Sequence, residues 1–190
     1  PSPSDLNAVY TPSFEEISNG SVTLTLTSTG NGNCIAVEDE VTFTIQPVPF
    51  VNAGPDIEVC ANNSEVQLGG IFFNADGAIW SGGLGTFVPN NTDVNAVYVP
   101  SQAEVLSGGL TLTLTTTGNG FCAANEDEID IEIAPAPVVD AGLDIVRCAN
   151  NPDAQLLGTV ENAGGGIWSG GNGTFLPGAG ALNAVYTGTA

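Results

Sequence analysis

The chain has 190 residues, 42% of them hydrophobic, enough to build the core of one or two domains. It carries 21 acidic side chains against one basic one, Arg147, and no histidine, for a net charge of −20. That surface repels phosphate backbones and anionic lipid heads, and without His or Lys no serine triad, thiol–imidazole pair or cationic clamp can form, so the chain reads as non-enzymatic.

The elements follow from alternation. Val22, Leu24 and Leu26 alternate with threonines, and Val41, Phe43 and Ile45 do likewise, which predicts two strands. Gln46-Pro47-Val48-Pro49 is a stiff, donor-poor linker. Seven strands are then predicted near 55–60, 65–71, 77–81, 86–88, 94–99, 109–117 and 127–134. A helical turn over 101–106 joins the fifth to the sixth, and Gly-rich segments such as Ser81–Gly85 mark turns. A second linker, Ala134-Pro135-Ala136-Pro137, follows. No run reaches the ~18 apolar residues of a membrane helix, so no membrane insertion is expected.

Self-similarity sets the architecture. Tyr10, Tyr98 and Tyr186 lie 88 positions apart, and so do Cys34 and Cys122, Cys60 and Cys148, and Trp80 and Trp168. Residues 51–138 are therefore one complete repeat, 1–50 the C-terminal part of a first and 139–190 the N-terminal part of a third. The expected fold is all-β, a tandem of immunoglobulin-like (PKD-like) β-sandwich repeats. Neither terminal piece closes a two-sheet core alone. Neighbouring repeats, or filament subunits donating the missing strands, are the expected partners.

Several motifs resemble PKD-like and Ig-like tandem repeats of giant Bacteroidetes cell-surface proteins of the gliding and adhesin type. They are Val51-Asn52-Ala53-Gly54-Pro55-Asp56, Ile79-Trp80-Ser81-Gly82-Gly83, Ala96-Val97-Tyr98, and Leu110–Thr113 followed by Gly118-Asn119-Gly120 and Cys122. The resemblance implies an extracellular, surface-bound fibre or adhesin stalk, exported by type IX secretion. The alternative is a module that binds glycans or another cell's surface.

Candidate sites are few. Each full repeat holds two cysteines, Cys60 and Cys122, and an even count in an exported chain favours disulfides. A Cys60–Cys122 bond would close a loop of about 60 residues and stabilise by ~2–4 kcal/mol. Simple sandwich topology places the two at opposite poles, beyond the ~7 Å that a disulfide tolerates between Cα atoms. The alternative joins the first-strand cysteine of one repeat to the late cysteine of the next. Cys34 and Cys148 then pair outside the chain, as do Cys60 and Cys122. Zinc is a poor fit, since the cysteines are single and have no histidine.

Glu126-Asp127-Glu128, expected just before the last strand, and Asp56 near the same pole could hold Ca²⁺ at a repeat junction. The competing reading is a charged edge that discourages strand pairing. Trp80, Trp168, Phe87, Phe175 and Tyr98 fall in alternating strands and read as core rather than as a sugar-stacking platform. Gly82-Gly83-Leu84-Gly85 reads as a tight turn, because no Lys or helix follows it as in a phosphate loop.

Overall fold

The structure, a computed structural model, describes residue 5 and residues 7–188. The first piece contributes α1 (Phe14–Asn19), β1 (Ser21–Thr27) and β2 (Glu38–Thr44). The central repeat begins with β3 (Phe50–Asn52), β4 (Ile57–Cys60), β5 (Val66–Gln67) and β6 (Ile71–Phe73). It continues with β7 (Gly77–Gly82), β8 (Thr86–Val88), β9 (Val97–Val99), α2 (Gln102–Ser107), β10 (Gly109–Thr117) and β11 (Glu126–Ala134). The last piece holds β12 (Val138–Asp140), β13 (Ala154–Gln155), β14 (Thr159–Glu161), β15 (Thr174–Leu176) and β16 (Val185–Thr187).

The central repeat is an immunoglobulin-like β-sandwich. One sheet has the order β4-β11-β10-β7, with β4 parallel to β11 and the other pairs antiparallel. Two smaller sheets, β5-β9-β8 and β3-β6, supply the opposing layer. Alternation puts Leu112, Leu114, Ile129, Ile131 and Ile133 on the inner face, where they meet Val66, Leu68, Trp80 and Tyr98. All nine are buried, and burying each such side chain stabilises by ~1.5–3 kcal/mol. Trp80 fills the middle, and its indole N–H donates to the Val94 carbonyl at 3.3 Å.

Three details differ from the sequence reading. The expected strand near 55–60 is β4, and an unexpected strand, β3, precedes it. β3 pairs with β6 in one layer, and β4 pairs with β11 in the other. Gly54, at φ +98, makes the crossing. The expected strand near 65–71 is two, β5 and β6, separated by a pair of glycines. A Cβ on Gly70 would collide with Leu114 and press on Trp80. Glu126, Asp127 and Glu128 lie inside β11 rather than before it.

The terminal pieces repeat parts of this template. β1 and β2 pair in the register of β10 and β11, Ser21 opposite Thr44 as Gly109 is opposite Glu132. β12–β14 and β13-β16-β15 copy β3–β6 and β5-β9-β8. Residues 145–147 and 165–170, the counterparts of β4 and β7, form no strand.

Candidate functional site: the junction between repeats

The polar groups of the central repeat gather at its junction with the preceding linker. Asn74 Nδ2 donates to the Val48 carbonyl at 3.0 Å, and Asn125 Nδ2 to the Pro49 carbonyl at 3.1 Å. From the linker side, Gln46 Oε1 accepts the Phe121 N–H at 2.8 Å. Asn74 holds a left-handed φ of 57°, which asparagine tolerates better than most residues. The second junction reuses the device. Asn162, at φ 56°, donates to the Ala136 carbonyl at 3.0 Å. Proline carbonyls and the lack of proline N–H groups make each linker an acceptor-rich strip, and the following repeat supplies the donors.

The cysteines sit at these same junctions. Cys122 Sγ lies 3.7 Å from the Pro47 carbonyl oxygen and 4.0 Å from that of Gln46, at the upstream linker. Cys60 Sγ lies 4.0 Å from the Pro135 carbonyl oxygen, at the downstream linker. β4 ends with Cys60 opposite Ala134, the last residue of β11, whereas Cys122 precedes the first residue of that strand. The length of β11, roughly 25–30 Å, separates the two, so the structure does not bring Cys60 and Cys122 within bonding reach. Cys34, Cys60, Cys122 and Cys148 are all free thiols.

The acidic residues do other work than the expected calcium site. Asp127 Oδ2 accepts the Ala53 N–H at 2.8 Å, and Asp56 Oδ1 accepts the Asp130 N–H at 3.0 Å. Together they fasten the segment between β3 and β4 to β11. Successive residues of a strand face opposite ways, so Asp127 points to one side while Glu126 and Glu128 stand exposed on the other. Asp56 is tied mid-strand rather than at the pole. Among the described residues no three acidic or thiol side chains converge as a metal centre would need, and these four do not fit one calcium ion.

One constellation escaped the sequence reading. Glu104, on α2, is buried and collects four donors. Its Oε1 accepts from Leu84 N–H at 2.7 Å and Tyr98 hydroxyl at 2.8 Å; its Oε2 accepts from Ser101 N–H at 2.7 Å and Ser101 hydroxyl at 2.8 Å. Burial pushes this carboxyl up, but the hydrogen bonds outweigh it and hold it below its ordinary value. Burial, and then the bond to Glu104, push the Tyr98 hydroxyl up to about 12. Gly85 N–H donates to that hydroxyl at 2.8 Å, and a Cβ on Gly83 or Gly85 would strike the Tyr98 ring or its oxygen. The glycine turn is therefore cut to admit the tyrosine head. The signal was present in Ser101-x-x-Glu104, a capping-box pattern. Ser13 and Glu16 repeat it, with Tyr10 bonded to Glu16 at 2.6 Å. Of the candidate stacking aromatics, Trp80 and Tyr98 are buried in the core, Phe87 packs on Tyr98 at 4.9 Å and Phe175 on Tyr186 at 5.1 Å, and Trp168 is half-buried.

No family model and no curated protein matches the chain. Among solved structures it is similar to extracellular cadherin domains 1–4 of protocadherin gamma B7, at 11% identity and a TM-score of 0.39, covering 92% of this chain and 50% of that one. It is also similar to the EC3–6 cis-dimer structure of protocadherin gammaB7, at 16% identity and a TM-score of 0.39, covering 92% of this chain and 52% of that one. The chain spans about half the length of these neighbours.

Proposed function

We propose that the chain is a load-bearing stalk segment of an extracellular surface fibre or adhesin, and not an enzyme. One observation carries this reading: the linker-pinning asparagine recurs at both junctions, Asn74 to Val48 and Asn162 to Ala136, at the same 3.0 Å and nearly the same φ. A repeated, donor-satisfied hinge fixes the angle between neighbours, as a stiff rod needs and a flexible string of binding modules does not. The polar groups that could serve catalysis are spent on structure: Glu104 on a turn, Asp56 and Asp127 on a strand edge. Export by a type IX route agrees with the motif resemblance. The dense negative charge keeps neighbouring stalks apart over a screening length of about 8–10 Å.

The test is small-angle scattering on the chain and on Asn74→Ala. A stiff module pair that turns flexible when Asn74 is truncated supports the stalk. Equal flexibility in both proteins refutes it, as does saturable binding of the chain on a glycan array without rod-like scattering.

A further inference from the structure

Resting on the stalk reading, in which such repeats stand in tandem, we propose that a disulfide crosses each junction. It joins the early cysteine of one repeat to the late cysteine of the next, and the bridges make the stalk two parallel covalent cables. The geometry comes from the central repeat and its two linkers, whatever precedes or follows them.

The two linkers are equivalent. Pro47 and Pro135 lie 88 positions apart. Each linker leaves its repeat from the same anchor: Ile45 N–H donates to the Gly20 carbonyl at 2.8 Å, and Ile133 N–H to the Gly108 carbonyl at 2.9 Å. Each is then held by the same asparagine of the following repeat, Asn74 or Asn162. On this shared frame Cys60 Sγ stands 4.0 Å from the Pro135 carbonyl oxygen, and Cys122 Sγ 3.7 Å from that of Pro47. The first thiol belongs to the repeat before its linker, the second to the repeat after. A complete junction therefore sets an early and a late thiol against one oxygen atom. Their sulfurs are then less than about 8 Å apart, a gap that rotamer steps close within the ~5.5–6 Å that a disulfide prefers between Cα atoms.

Both thiols are half-buried. Their neighbours change between repeats: Asn33 and Ile35 stand where Phe121 and Ala123 do, and Val59 where Arg147 does, yet each cysteine recurs. Sulfur chemistry, more than packing, accounts for a cysteine kept at such a place. Each bridge forms by exchange with a low-molecular-weight disulfide such as oxidised glutathione. Two protein thiols lose two protons and two electrons to the new S–S bond, and the oxidant leaves as two thiols.

The spacing gives the bridges a mechanical meaning. Cys34 to Cys60 and Cys122 to Cys148 are each 26 positions. Such a segment starts at the upstream end of one repeat, follows its last strand, crosses the linker and ends at the downstream end of the next repeat. A bridge then passes the load to another such segment. Segments so joined make one continuous path, and those staggered by one repeat make a second. In the central repeat the two paths lie side by side as β4 and β11, paired in parallel with Cys60 opposite Ala134. Strands β5 to β10 fall between Cys60 and Cys122, off both paths. A 26-residue segment reaches at most about 85–95 Å, whereas the two repeats it serves would unravel to about 600 Å. Unfolding β5 to β10 therefore cannot lengthen the bridged stalk.

The test extends the full chain at both ends, with a copy of residues 51–88 before Pro1 and a copy of residues 103–138 after Ala190. Three whole repeats result, with one added early and one added late cysteine. After oxidation in a glutathione buffer at high dilution, non-reduced peptides are read by mass spectrometry. The expected bridges join the added early cysteine to Cys122 and Cys60 to the added late cysteine, with Cys34 and Cys148 free. Cys60→Ser leaves the added late cysteine free. Pulled by its ends in a force microscope, the oxidised chain extends about a third as far as the chain treated with dithiothreitol, because the bridges shorten the covalent path between its ends roughly threefold. Bridges within repeats, such as Cys60 to Cys122, overturn the proposal, and so do thiols at Cys60 and Cys122 that stay free after oxidation. Should one added segment fail to fold, the bridge at the other end decides. Rod-like scattering with free thiols would leave the stalk standing without bridges; bridges in a flexible chain would remove the stalk and leave the junction chemistry.

Discussion

Truncating Glu104 to alanine separates the buried acceptor network from ordinary helix capping. The substitution leaves the Leu84 N–H and the Tyr98 hydroxyl facing an empty site beneath the glycine turn, and it removes half of the capping box on α2. A buried donor left without its acceptor costs about 1–3 kcal/mol, and a lost cap about 1 kcal/mol. The central repeat should therefore lose about 3–5 kcal/mol, a large share of the ~5–15 kcal/mol typical of a domain. The assay is urea unfolding followed by the fluorescence of Trp80, which is fully enclosed in that repeat. Glu16→Ala is the internal control. The same bonds to Tyr10 and Ser13 are made there, but on an exposed surface where water replaces them, so the loss should be much smaller than at Glu104. The pH dependence has a definite sign. Glu104 titrates below its ordinary 4.5 when folded, so its contribution is fully present above that pH and is lost as pH falls through the lowered value. Glu104→Gln should flatten that acid limb. Equal losses for Glu104→Ala and Glu16→Ala, or a loss under about 1 kcal/mol at Glu104, would refute the reasoning.

Absorbance titration of the tyrosines should show one residue, Tyr98, ionising at about 12; its stabilising contribution is complete below pH 10 and declines as pH rises through that interval. A single tyrosine step near pH 10 would contradict it. Leu114→Ala should cost about 2–5 kcal/mol and Leu26→Ala under about 1 kcal/mol in the monomer, because only the first is enclosed. Denaturant titration of the two variants checks the contrast. Asp127→Ala strands the Ala53 N–H and should cost about 1–3 kcal/mol, with and without calcium alike. A calcium-dependent rise in the wild-type melting temperature that disappears in this variant would restore the metal reading.

The linear order of residues was enough for the period of 88, the strand faces, the α2 turn and the Pro linkers. Alternation and repetition are local signals that survive without knowledge of packing. Thr111, Thr113 and Thr115 against Leu110, Leu112 and Leu114 announce one wet and one dry face wherever the strand is placed. The seven-strand reading blurred where one stretch serves two sheets. Nothing short of the opposing layers shows that Gly54 passes the chain from β6 to β11. Other features were decided only by contacts between residues some 75 positions apart. Asp127 turned out to be a strand fastener because Ala53 N–H arrives beside it, and Glu126 could not join it because neighbouring strand residues face apart. The cysteines required the same information. The sequence left open whether Cys60 pairs within its repeat or across a junction. The length of β11 then placed Cys60 and Cys122 at opposite ends, each against a proline carbonyl of a different linker. Periodicity fixes which way a side chain points along its own strand; only the closed sandwich fixes what waits there to meet it.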